Sequence, residues 1–117
     1  MKTFQNTAAQ GDVMFRRVES IPLDATAQPR DKAGTVTVAH SETGHHHSFD
    51  ASCPLQLYTT PDPFVCFLRV EQPSLLEHHR QHDQHEALLF APGCYEIRRQ
   101  RERAYTPKGW AERMVQD

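Results

Sequence analysis

The sequence predicts a mainly-β protein, a small single-domain barrel or sandwich of about six to eight short strands. Three observations predict it. Apolar and polar residues alternate with a period of two in several short runs, turn signals rich in Gly and Pro separate those runs, and one run is apolar on both faces, as a central buried strand would be. At 117 residues the chain fits one domain, 1–117, with a modest core. It is 38% apolar and 24% charged, polar for a globular protein but without the bias of a disordered one.

The elements follow in order. Residues 1–10 are polar and read as a loosely attached, flexible segment. Gln10-Gly11-Asp12 turns into a strand over Val13–Glu19, with Val13 and Phe15 on one face. Asp24 to Gly34 reads as a surface loop. A hairpin is then expected from Thr35–His40 and His45–Phe49, joined by Ser41-Glu42-Thr43-Gly44. If His40 pairs with His45, Val38 stands opposite His47 and Val36 opposite Phe49, so one face gathers three apolar residues and three imidazoles. Leu55–Thr59 and Phe64–Val70 are strands separated by Thr60-Pro61-Asp62-Pro63, and the second is the run that is apolar on both faces.

Ser74 to Phe90 is ambiguous. Local propensity slightly favours a helix behind a Ser74–Glu77 capping box, with His78, His82, His85 and Leu89 on one face, whereas the extended reading splits it into Leu75–His79, a turn, and Glu86–Phe90. Ala91-Pro92-Gly93 is a turn, followed by a strand over Cys94–Glu102 with Tyr95 and Ile97 inward. Thr106–Trp110 reads as a turn, with Trp110, Met114 and Val115 closing one edge.

The histidines are the sharpest chemical signal. Imidazole is the commonest protein ligand of first-row transition metals, so His40, His45 and His47 form a candidate metal site, with His46 on the opposite face. His82 and His85 are the natural additions, giving four or five nitrogen ligands suited to Zn first, then Ni, Cu or Fe, rather than to Mg or Ca. Glu42 and Glu86 are the nearest carboxylates that could support a ligand or act as a general base. Set against this is a solvated polar hairpin whose histidines do nothing special.

The second signal is Arg98-Arg99-Gln100-Arg101-Glu102-Arg103 with Tyr105 and Trp110 nearby, which could contact phosphates or a protein partner. The bland reading is a strand in which Arg99 and Arg101 share one side while Arg98, Glu96 and Glu102 make cross-strand pairs on the other. A formal net charge of −2 disfavours nucleic acid and an anionic membrane surface. Protonating all eight histidines would carry that charge to +6, so a pH sensor is a further reading. Cys53, Cys66 and Cys94 are odd in number, widely spaced and expected as buried free thiols. No phosphate loop, nucleophile elbow or His-Glu-x-x-His helix is present, which argues against a hydrolase or nucleotide enzyme of a standard kind. With neither a secretory h-region nor a run of about 20 apolar residues, the expectation is a cytoplasmic protein.

Gln10-Gly11-Asp12-Val13, Thr43-Gly44-His45-His46-His47, His82-x-x-His85, Pro92-Gly93-Cys94-Tyr95 and Arg98-Arg99-Gln100-Arg101-Glu102 together resemble a group of small bacterial and phage-associated proteins without established activity. The likeness spans roughly residues 10 to 115. It implies a bounded domain and an extended C-terminal block, which tips Ser74–Phe90 toward strand, turn and strand. The chain departs from the group in placing Cys94 where a hydroxyl residue is commoner and in inserting Ala104 before Tyr105, which would bulge the last strand.

The leading expectation is therefore a cytoplasmic transition-metal-binding accessory protein using His40, His45, His47, His82 and His85. The alternative is a metal-free interaction module, associated with a phage or mobile element, that binds a partner through Arg98, Arg99, Arg101, Arg103 and Tyr105. A metalloenzyme with an open coordination position is a third reading. Exposed edge strands make a homodimer reasonable.

Overall fold

The computed structural model describes residues 2–39, 47–78 and 87–99, together with the backbone of 101–106 and 109–114; of His78 it describes the backbone alone. All regular elements among the described residues are strands. They are β1 (Lys2–Thr3), β2 (Thr7–Gln10), β3 (Val13–Val18), β4 (Thr26–Ala27), β5 (Val36–Ala39), β6 (His47–Phe49) and β7 (Leu55–Thr59), then β8 (Val65–Val70), β9 (Ser74–His78), β10 (Leu88–Phe90), β11 (Gly93–Arg99), β12 (Arg101–Thr106) and β13 (Gly109–Met114).

Eleven of these strands form two sheets, a five-stranded one ordered β1-β10-β9-β6-β5 and a six-stranded one ordered β2-β3-β11-β8-β7-β4. Their inner faces share one hydrophobic core, which makes the fold an open β-sandwich rather than a closed barrel. Every pairing is antiparallel except that of β1 with β10. The strand count exceeds the six to eight expected because β1, β2 and β4 are two to four residues long and carry little periodic signal, the expected strand over Cys94–Glu102 is divided between β11 and β12, and β13 begins where a turn was expected.

Alternation places the core. On β3, Val13 and Phe15 point inward, and on β11 Tyr95 and Ile97 do the same, so the facing residues of this pair pack while Met14 and Arg16 face outward. The five-stranded sheet supplies Val36, Val38, Phe49, Leu76, Leu88 and Phe90. Phe90 is the aromatic hub: its ring meets Phe15 edge-on at 5.1 Å, Phe49 at 5.3 Å, Tyr95 at 4.8 Å and Phe4 at 5.0 Å. Edge-to-face contacts at these distances add to the burial term of each ring. β8 lies between β11 and β7, the central position its composition suggests.

Several expectations change in the fold. Residues 2–10 are held as β1 and β2 rather than left loose, because β1 adds to β10 and Phe4 packs on the core. The expected loop at 24–34 contains the two-residue β4, which pairs with β7. Ser74–Phe90 follows the extended reading, with β9 and β10 antiparallel and paired Leu76 to Leu88. Gly109 and Trp110 open β13 instead of lying in a turn. β12 pairs with β13 from Arg101–Met114 to Thr106–Gly109 with no shift at Ala104, so the extra residue produces no bulge.

The Pro92-Gly93-Cys94-Tyr95 turn has a packing reason. Gly93 has φ +151°, and a Cβ there would meet Arg17 Nη2 at 2.8 Å. The Arg17 guanidinium lies over the Tyr95 ring at 5.6 Å and donates to the Pro92 carbonyl at 2.6 Å. The Tyr95 hydroxyl in turn donates to the Ala91 carbonyl, closing the turn from its inner side. Substituting Gly93→Ala should therefore cost about 1–3 kcal/mol of stability, read as a lowered midpoint in chemical denaturation with unchanged slope.

Candidate functional site

The site begins with the β2–β3 hairpin. Gln10 pairs with Val13 across Gly11-Asp12. Gly11 has φ 62° and no non-glycine residue has positive φ, which is the pattern of a two-residue turn with glycine in its first central position. This turn sets Gln10 and Asp12 on the inner side of the six-stranded sheet, 2% and 6% exposed.

Opposite them is His47, the first residue of β6 and 0% exposed. Its Nδ1 lies 2.8 Å from Gln10 Oε1, and Gln10 Nε2 donates to the Leu76 carbonyl on β9 at 3.1 Å. The second bond fixes the tautomer in the first. Turning the amide over would set its oxygen against the Leu76 carbonyl oxygen, so Oε1 must face the ring and Nδ1–H must be the donor. Nε2 then faces the Asp12 carboxylate, with Oδ1 at 3.9 Å.

That separation is longer than a direct hydrogen bond, about 2.7–3.2 Å. Two ligands of one tetrahedral Zn ion, each about 2.0–2.2 Å from it, lie about 3.3–3.6 Å apart, so His47 Nε2 and Asp12 Oδ1 would have to close by a few tenths of an ångström to share one. A ring nitrogen and a carboxylate oxygen so placed can share a cation, either a proton on the imidazole or a metal ion. The arrangement can thus hold a proton or offer one nitrogen and one oxygen ligand. Among the described residues no group of three or more His, Cys, Asp or Glu converges on a common centre.

The register around His47 differs from the expected one. Val36 pairs with Phe49 as the alternation requires, but Ala39, not Val38, stands opposite His47, because the pairing shifts between Thr37 and Ala39. The extra residue is a β-bulge, which lets Val38 and Ala39 both be buried. On its other side His47 pairs with His78 of β9. Ala39, His47 and His78 thus share one end of the five-stranded sheet, and the stretches 40–46 and 79–86 are joined to the chain there. The six histidines other than His47 and His78 all fall in those two stretches.

Of the expected metal ligands, His47 is in the core as described. His40, His45, His82 and His85, with Glu42, Glu86 and the proposed His40–His45 pair, lie outside the described residues. Gln10 and Asp12 were not singled out as ligands or supports by sequence reasoning, which took Gln-Gly-Asp as a turn; a carboxylate beside a turn glycine reads as solvated until the opposite sheet is in place.

The arginine run does not form one strand. Arg98 and Arg99 end β11 in the six-stranded sheet, whereas Arg101, Arg103 and Tyr105 belong to β12, in a separate two-stranded sheet. Glu96 ties Arg98, whose Nε donates to Oε1 at 2.8 Å, and Arg16 across the strand pair, whose Nη2 donates to Oε2 at 3.3 Å. The bond from Arg98, with help from Arg16, holds the Glu96 carboxyl below the usual carboxylate range, and Glu96 raises Arg98. Cys53, Cys66 and Cys94 are free and partly buried. Burial alone pushes the Cys66 thiol up to about 12.

The fold and site define a β-sandwich with a buried histidine–carboxylate pair held between its sheets. A family model described as Domain of unknown function (DUF8820) matches residues 9–100, and the chain belongs to that family. The match begins just before Gln10 and ends just after Arg99, so it contains the whole described site. Comparisons with curated proteins and with solved structures give no match. No helix among the described residues is long and apolar enough to cross a membrane.

Two outcomes follow. Gln10→Leu should destabilise the fold by about 1–3 kcal/mol, because it removes two buried hydrogen bonds, one to the Leu76 carbonyl and one from His47 Nδ1; equilibrium unfolding measures it. Glu96 is depressed in the folded state, so its contribution is present above the ordinary carboxylate range and is lost as pH falls through the lowered value. Glu96→Gln should lose about 0.5–1 kcal/mol at neutral pH, its partners being well exposed, and should flatten the acid limb of a stability–pH curve.

Proposed function

We propose that this protein is a small transition-metal-binding accessory protein whose ligands are drawn from His47, Asp12 and the histidines of the adjoining stretches, His40, His45, His82 and His85. One observation carries the reading: a fully buried imidazole held by Gln10 through Nδ1 presents Nε2 to a buried carboxylate. Ligating histidines characteristically have their second nitrogen hydrogen-bonded, which fixes the ring and raises its basicity. The attachment of both histidine-bearing stretches at this end of the sheet gives the pair a supply of further nitrogen ligands.

A mixed nitrogen and oxygen set of this kind suits Zn, and after it Ni, Cu or Fe. Arg98 is engaged by Glu96 and the arginine run is divided between two sheets, so a continuous arginine ridge gives the partner-binding alternative no comparable support.

Elemental analysis of tag-free protein tests the reading. Close to one Zn or other first-row ion per chain is expected, EDTA should remove it with a fall in melting temperature, and both His47→Gln and Asp12→Asn should lower occupancy at least tenfold. Sub-stoichiometric metal whose removal leaves the melting temperature unchanged would count against it.

A further inference from the structure

The two open sides of the sandwich are closed differently. On one, Phe4 lies between the edge strands β1 and β2 and caps the core, its ring 5.0 Å from Phe90 and 5.7 Å from Tyr95. On the other, between the edge strand β5 and strand β7, a cavity of about 410 Å³ enters between the sheets. Its volume is that of a small-molecule site. Alternation makes its floor the inner surface of both sheets. Val36 and Val38 face inward from β5, while Leu57 pairs with the fully buried Leu68 and Thr59 with Cys66, so these residues of β7 and β8 face inward as well. The Cys66 thiol reaches across the gap and donates to the Val38 carbonyl at 3.9 Å.

The rim is preformed. At one end the chain crosses between the sheets over 28–35, where Arg30 donates to the carbonyls of Gly34 at 2.8 Å and Leu55 at 3.2 Å, and Asp31 Oδ1 accepts the Ala33 and Thr35 amides. At the other end the β7–β8 turn is held by Asp62 Oδ1, which accepts the Phe64 amide at 2.9 Å, and by Thr60, which donates to the Val65 carbonyl at 3.1 Å. The charged groups of the rim are thus engaged within the protein. Two carboxylates against one guanidinium also repel an anion. The floor carries no charge, and its Thr59 hydroxyl accepts from Gln28 Nε2 at 2.6 Å, which leaves the hydroxyl hydrogen to be donated elsewhere.

We propose that this cavity binds a small uncharged molecule with an apolar body and a carbonyl oxygen, the body resting on Val36, Val38, Leu57 and Cys66 and the oxygen accepting from Thr59. An ion would shed its water onto an apolar floor that offers it no counter-charge. The site shares no residue with the His47–Asp12 pair and does not depend on metal.

Amide-resolved NMR titration of the full chain with 2-octanone and methyl heptanoate, against octanoate and octylammonium, tests the proposal. The two uncharged ligands should give saturable shifts at Val36, Val38, Leu57 and Cys66 while the outward-facing Met14 and Glu96 stay unmoved, and both ions should bind at least tenfold more weakly. Thr59→Val should weaken ketone binding about threefold to tenfold, the loss of one hydrogen bond, and Leu57→Trp should abolish it by filling the cavity; thermal melts show that each variant is folded. No saturable binding, shifts confined to another surface, an ion that binds as tightly as the ketone, or affinity unchanged in folded Thr59→Val or folded Leu57→Trp would each overturn it.

Discussion

The hydrogen bond between Gln10 and His47 is the constraint from which the rest of the site follows. It joins the turn of the six-stranded sheet to the first residue of β6 in the five-stranded sheet, and the second arm of the same amide reaches β9. A polar group in a sandwich core is tolerated only when its bonding capacity is met. Here one glutamine meets the needs of an imidazole nitrogen and a main-chain carbonyl on two different strands. In doing so it decides which ring nitrogen carries the proton, and hence which one faces Asp12.

The apolar core surrounds this polar tie and gives it rigidity. Phe90 takes edge contacts from aromatic residues of both sheets, and Val13, Val36, Val38 and Phe49 lie next to Gln10, Asp12 and His47 in sequence or in register. Water-poor surroundings strengthen the interaction of any cation with Asp12. The bulge at Val38 and Ala39 serves the same end, letting two small apolar side chains cover the one position occupied by His47.

Much of the fold was legible because burial on one side of a sheet writes itself into alternation. Val13 with Phe15, and Tyr95 with Ile97, were placed correctly on that ground alone. Ser74–Phe90 was not decided by propensity: its apolar residues fit helix and strand about equally, and partners on β6 and β1 settled it. β1, β2 and β4 were illegible, since strands of two to four residues gain their structure from a neighbour's edge. The slip from Val38 to Ala39 opposite His47 was illegible too, because a bulge preserves the composition of a hairpin while changing its register. At the site, His47 stood out as one of three histidines in an alternating run, whereas Asp12 and Gln10 gave no signal beyond a turn. Their role is created by the opposite sheet, and a chain read locally cannot bring residues 10 and 47 together. The arginine run misled in the opposite way. Its alternation looked continuous, yet the chain passes from one sheet into another between Arg99 and Arg101.

The tautomer of the His47 ring is the feature on which the site turns. Long-range proton–nitrogen correlation NMR on labelled protein reads it directly. The account predicts that His47 carries its proton on Nδ1, with Nε2 either metal-bound or protonated as part of an imidazolium. A neutral ring protonated only on Nε2, with a bare Nδ1 toward Gln10, would contradict it.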